Sequence, residues 1–257
     1  MKMKIMWALL PLMAILAACN QEKKELVNAS VSTGDSAVYV NESSRVSCKM
    51  RADVPTERLN LAVGEWMDEQ FGGTYTGDYR DIQSIVDFYG VAMNDSLCKD
   101  TAELGPEISL AYEVKMKLTY ETDLLATYSM TTYVDLGGAH PSFVADGASF
   151  RKSDGRRIGW EMISHTHSSE FNELMKQHLK EYFEVTDDDE LSEMLQEADN
   201  LYALPMPQTP PCFDEDGVSF VYQQYEIASY AAGLPSGKFS YDEIKPLMTT
   251  WARRLVE

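Results

Sequence analysis

Two kinds of hydrophobic pattern share this chain, and together they predict an α+β fold in which an antiparallel β-sheet carries packed helices. From Ile108 to Tyr120 every second residue is bulky (Ile108, Leu110, Tyr112, Val114, Met116, Leu118, Tyr120), the period of a strand with one buried face. After a turn at Glu121 to Asp123, a second alternating run passes from Leu124 through Ala126, Tyr128 and Met130 to Leu136, which predicts the antiparallel partner of a hairpin. Helical spacing appears elsewhere, most clearly in Phe171, Leu174, Met175, His178, Leu179, Tyr182 and Phe183, one apolar stripe between Ser168 and Phe183.

The remaining elements follow in chain order. Lys2 and Lys4 precede an apolar run from Ile5 to Leu16, the charged-then-apolar order of an export signal, and the run is shorter than the roughly 20 residues a membrane span needs. Leu16-Ala17-Ala18-Cys19 resembles a bacterial lipobox, so residues 1–18 are expected to be removed and Cys19 to become the lipidated N-terminus, holding the chain at a membrane surface. Residues 19–35 are polar and aperiodic, as a tether is. Strands are predicted near 37–41 and 45–53. Leu59, Ala62, Val63, Trp66 and Met67 predict a helix ended by Gly72-Gly73, and a second helix is expected over about 79–93.

Further on, short strands flank the turn dipeptide Asp154-Gly155. Thr186 is expected to cap an acidic helix over about 187–198, and the four prolines between Leu204 and Cys212 predict a loop. Asp216-Gly217 predicts a turn into a strand at 218–222. Ser240-x-x-Glu243 has the pattern of a capping box, and Pro246 should kink or restart the helix that follows.

Composition narrows the function. The chain carries 41 acidic and 22 basic residues, a net charge of -19, which loss of the two signal lysines would take to -21. Such a surface disfavours nucleic acid and anionic lipid and favours basic partners. Besides Cys19 there are Cys48, Cys98 and Cys212, so this is no disulfide scaffold, and Cys48, in an alternating run, is expected to be a buried small residue. No GxSxG, HExxH or paired-cysteine motif is present, and Gly233-x-x-x-Gly237-Lys238 is one residue short of a phosphate loop. Neither catalysis nor a cofactor or metal is therefore expected.

Three segments resemble a known arrangement. Tyr133-x-x-x-Gly137-Gly138-Ala139-His140 ends the long hairpin, Phe150 to Ile158 reads as strand, turn and strand, and Phe220-x-Tyr222-x-x-Tyr225-Glu226-Ile227-Ala228-x-Tyr230-Ala231-x-Gly233 precedes the terminal helix. Their order is similar to the DUF3298 domain at the extracytoplasmic end of the RsiV-like anti-sigma factors. The region upstream resembles the DUF4163 domain that commonly precedes it. The resemblance implies two consecutive α+β subdomains, 36–132 and 133–257, with no catalytic constellation. In the anti-sigma relatives the domain binds lysozyme, and elsewhere it accompanies a peptidoglycan deacetylase. With no sigma-binding segment, membrane span or deacetylase-sized region in this sequence, the expectation is of the binding or sensing module alone, mounted on a lipid in the bacterial envelope, either periplasmic or on the cell surface.

The candidate binding residues are Gly137, Gly138, His140, Tyr222, Tyr225, Glu226 and Tyr230. Glycines before His140 permit a tight backbone that presents the imidazole, although they equally serve to turn the chain. Tyrosines combine apolar area with a polar tip, which suits an aromatic binding surface and also suits packing within the fold. His165-x-His167 with Glu170 has metal-ligand residue types, but polar loops commonly carry such pairs. His178 lies on the apolar stripe and reads as a packed histidine. Asp187 to Glu190 reads as the acidic first turn of a helix. Two partners follow from this reading: a basic protein such as a lysozyme, or a cell-wall glycan.

Overall fold

The computed structural model describes residues 35–196, 201 and 203–257. The expected signal segment, Cys19 and nearly all of the tether lie outside these residues. The mixed α+β class holds, with a six-stranded sheet, a three-stranded sheet and several helices.

The large sheet has the order β1 (Ser36–Glu42), β2 (Val46–Asp53), β3 (Leu110–Glu121), β4 (Leu125–Asp135), β5 (Ser142–Arg151) and β6 (Arg157–Ile158). All neighbours are antiparallel except β2 and β3, which run parallel, Met50 beside Val114. That exception is forced by connectivity, since a parallel neighbour needs a long crossover. The crossover is helical: α1 (Asn60–Gln70) and α2 (Ile82–Glu103) lie between the two strands in sequence. α2 extends ten residues beyond the expected end. Leu97 and Thr101 are buried one turn apart along it, but the polar stretch Asn94-Asp95-Ser96 breaks the apolar stripe and hides the continuation from periodicity.

One core lies between the sheet and these helices, where Cys48, Met50, Tyr112, Val114, Met116, Tyr128 and Phe150 meet Val63, Trp66, Ile85 and Val86. Cys48 is fully buried there, as expected, and burial pushes its thiol up to about 11. The alternation of β3 is interrupted by a bulge between Leu118 and Tyr120. A bulge turns the following side chains to the other face, so Tyr120 leaves this core and packs against a second one, together with Leu125. Leu124, expected to face inward, is exposed instead.

The second core belongs to the C-terminal part: α3 (Ser169–Phe183), α4 (Asp188–Met194), the small sheet β7 (Cys212–Phe213), β8 (Gly217–Val221) and β9 (Ser236–Ser240), and the short helices α5 (Tyr241–Ile244) and α6 (Thr250–Arg253). It rests on the face of the large sheet opposite α1 and α2. There the Phe213 N–H donates to Ser149 Oγ at 3.0 Å, and Ser149 Oγ lies 2.8 Å from Thr127 Oγ. The expected boundary between 132 and 133 falls inside β4, because the hairpin that both halves need is one continuous pair of strands.

Local chemistry agrees with several expectations and amends others. Ser168 caps α3 through the Phe171 N–H, and Ser240 with Glu243 forms the capping box of α5. Pro246 stops that helix, and α6 restarts at Thr250. The cap of α4 is Asp187 rather than Thr186. Thr186 instead donates its N–H and hydroxyl to Glu190 Oε2, since a carboxylate accepts more strongly than a hydroxyl.

Candidate functional site

Most of the candidate residues converge where the β4–β5 connection meets the chain between β8 and β9. Gly137 takes a left-handed backbone, φ +71°, and its N–H donates to Asp135 Oδ1 at 3.0 Å. A Cβ there would strike the side chain of Ile108, while Gly138 meets no such obstacle. Gly137 therefore turns the chain and Gly138 is free to be another residue. The turn delivers His140, whose ring stacks on Tyr230 with centroids 3.8 Å apart and planes 27° apart.

This stack is held by one carbonyl. Pro141 O accepts the Tyr230 hydroxyl at 2.9 Å and lies 3.0 Å from His140 Nδ1. A carbonyl only accepts, so the neutral imidazole carries its proton on Nδ1 and leaves Nε2 as an acceptor. Tyr225 Oη faces that Nε2 at 3.5 Å, and the Tyr225 ring is 5.9 Å from Tyr230. Tyr225 is 55% exposed and has a left-handed backbone, φ +66°. A bulky non-glycine residue rarely adopts that conformation, and such strain gathers at functional sites. Leu136, just after β4, and Phe143, at the start of β5, are exposed apolar residues on the two sides of the connection that carries His140.

Two candidates do not belong to the exposed cluster. Tyr222 is fully buried, its hydroxyl donating to Pro205 O at 2.6 Å, and burial pushes its pKa up. Its alternation with Phe220, also buried, accounts for this position. Glu226 is a brace. It accepts the Gln223 N–H at 2.6 Å and the Gln208 N–H at 2.8 Å, tying the turn that carries Tyr225 to the proline loop.

Sequence reasoning missed Gln223 and Gln224. Gln224 Oε1 accepts the Phe143 N–H at 3.1 Å, and Gln223 accepts the Ala145 N–H at 3.3 Å while donating to Ala145 O at 2.6 Å. These amides occupy the edge of β5 where β6 does not reach, and they fix the aromatic segment to the sheet. A glutamine pair next to a strand has no distinctive spacing, so nothing in the sequence marked it.

Other expected features lie apart. His165 and His167 line an open depression with Trp160 and Glu161, about 640 Å³, and among the described residues no group of three or more His, Cys, Asp or Glu side chains is placed to hold a metal ion. His178 is buried, its Nδ1 3.2 Å from Glu181 and its ring edge-on to Phe239. Asp188 accepts Lys176 at 2.7 Å and also pairs with Lys180, which holds its carboxyl below the usual range. Cys48, Cys98 and Cys212 are all free thiols. No helix among the described residues is long and apolar enough to cross a membrane.

The α+β sheet with a small C-terminal sheet on its back is a known architecture. A DUF3298-family protein from Bacteroides fragilis superposes with a TM-score of 0.68 at 16% identity, covering 90% of this chain and 98% of its own. One from Pseudomonas aeruginosa gives 0.60 at 14% identity, covering 85% and 95%. Residues 165–242 match the model of the family described as a protein of unknown function, DUF3298. The chain thus has the fold of these solved DUF3298 proteins and carries a DUF3298 domain at 165–242. No curated protein matches the sequence. The matched segment holds Tyr225 and Tyr230 but begins after His140, so the aromatic cluster joins the domain to the sheet that precedes it.

Proposed function

We propose that the protein is a noncatalytic binding module of the bacterial envelope, anchored through lipid on Cys19, and that the Tyr225–His140–Tyr230 cluster engages a protein partner. The observation that carries this reading is Tyr225, a strained and exposed tyrosine whose ring is tilted against Tyr230 in the cluster with His140. Aromatic anchors with an apolar surround are the composition of protein-interface hot spots. The net charge of -19 favours a basic partner by steering, and the RsiV-like resemblance makes a lysozyme the first to try. Flat exposed rings also stack on sugars, which supports a second reading, a cell-wall glycan as ligand.

Salt separates the two. Binding of a c-type lysozyme should weaken steeply between low and physiological salt, whereas stacking on chito-oligosaccharides should change little. Failure of both ligands to bind would overturn the proposed module. The anchor has its own test: radiolabelled palmitate should enter the protein and be lost in Cys19→Ser, and labelling that persists in that variant would remove Cys19 from its role.

A further inference from the structure

The depression between the 3-10 turn Trp160–Met162 and the start of α3 shares no residue with the aromatic cluster, and its chemistry is of another kind. Its wall is the loop from Ile163 to Ser168, which is fixed at both ends. The Ser164 N–H donates to Leu247 O at 2.9 Å and Ile163 bridges to Met248, while Ser168 Oγ accepts the Phe171 N–H at 3.2 Å as the cap of α3. Between these anchors the side chains of Ser164, His165, Thr166 and His167 make no hydrogen bond, ion pair or ring contact with any other described residue. Water alone satisfies them, so a ligand can take its place without breaking a bond of the fold.

Trp160 forms the other side, partly open to solvent. Its one donor is already spent, Nε1–H reaching Pro207 O at 3.1 Å and Thr209 O at 3.2 Å, and its ring meets Phe171 edge-on with centroids 6.0 Å apart. What the indole offers the depression is therefore apolar surface held in one orientation. The volume, about 640 Å³, lies in the range of roughly 300–1,000 Å³ usual for small-molecule sites.

We infer that this depression binds neutral sugar residues of a glycan. A pyranose has an apolar C–H face and a rim of hydroxyls, and the depression sets an indole beside four free polar side chains. Hydroxyls and neutral imidazoles both donate and accept, as sugar hydroxyls do. Ions are poorer occupants. Glu161 on the rim is paired with Arg156 at 3.2 Å, and Glu170 already fills the first turn of α3, where an anion would otherwise be drawn. The two imidazoles have no third ligand, since no group of three metal-binding side chains is found among the described residues. The inference adds a second surface to the glycan reading and does not depend on Tyr225.

The test is titration of the chain from residue 20, which keeps every described element, with chitotriose, cellotriose and maltotriose, read by calorimetry and tryptophan fluorescence. At least one trisaccharide should bind, with an affinity that salt leaves unchanged, and the one preferred identifies the glycan. Trp66 is fully buried, so a fluorescence response comes from Trp160 or Trp251, and Trp160→Ala should remove both the response and the binding. H165A/H167A removes two exposed side chains that contact no other described residue, so it keeps the fold, and it should bind about tenfold more weakly through lost hydrogen bonds. Tyr225→Ala should bind as the parent does. Binding of none of the three sugars, binding unchanged in H165A/H167A, or displacement of the sugar by inorganic phosphate or zinc ion would each overturn the inference. Sugar binding lost in Tyr225→Ala and intact in H165A/H167A would assign the glycan to the aromatic cluster instead.

Discussion

Tyr225 shows at the level of one residue how binding and stability are set against each other. A left-handed backbone costs a non-glycine residue about 1 kcal/mol or more, and φ +66° with a ring 55% exposed recovers little of that through burial. Tyr225→Gly should therefore leave the protein equally stable or up to about 1 kcal/mol more stable in urea unfolding, while abolishing partner binding. A clear loss of stability would mean that the ring is there for packing. Asp146 makes a second case. Its carboxyl is raised by burial, against the opposing effects of the Gly147 N–H and the charge of Arg157. A raised folded-state pKa means that stability falls as pH rises through it. Asp146→Asn keeps an oxygen for Gly147 and removes the charge, so its melting temperature should exceed the parent's at pH 7, with the difference vanishing below the usual carboxylate range. A constant difference at every pH would show that ionisation is not the cause.

Among the elements, the ends of the large sheet are closed by amides rather than by charge or proline. Gln83 on α2 accepts the Val38 N–H at 3.0 Å and donates to Val38 O at 3.1 Å, and Gln223 does the same for Ala145 on β5. Each glutamine reproduces the two bonds of a missing strand, which is how an edge is kept from pairing with another chain. Gln223→Ala should cost about 1–3 kcal/mol in urea unfolding, from hydrogen bonds worth roughly 1 kcal/mol each, and should shift the protein towards dimers in size-exclusion chromatography. A stable monomer would contradict this role. These side-chain bonds were invisible in the sequence, whereas the strands themselves were legible. Period two located β3 and β4, the apolar stripe from Phe171 to Phe183 located α3, and the capping box at Ser240 located α5. What misled was the local break in a pattern: the bulge after Leu118 moved Tyr120 and Leu125 to a different core, and the polar turn at Asn94 masked half of α2. At the candidate site, the Gly-Gly-Ala-His and tyrosine-rich segments were legible as chemistry, and their meeting was not, since 85 residues separate His140 from Tyr225. Tyr222 and Glu226 were drawn into the same list by proximity in sequence, although alternation sends one inward and a bracing role occupies the other.

For the whole molecule, the proposed binding rests on a net charge of -19 and on one aromatic cluster, which lies at the β5 edge of the large sheet. In that proposal the charge steers a basic partner and the cluster anchors it. The most direct measurement is calorimetry of the chain from residue 20 against a c-type lysozyme at physiological salt, parent beside Tyr225→Ala, with an unrelated protein of equal basicity as control. A binding module working through this cluster predicts lysozyme affinity above the control and its loss in Tyr225→Ala. Affinity no greater than the control's, or unchanged in the variant, would contradict it.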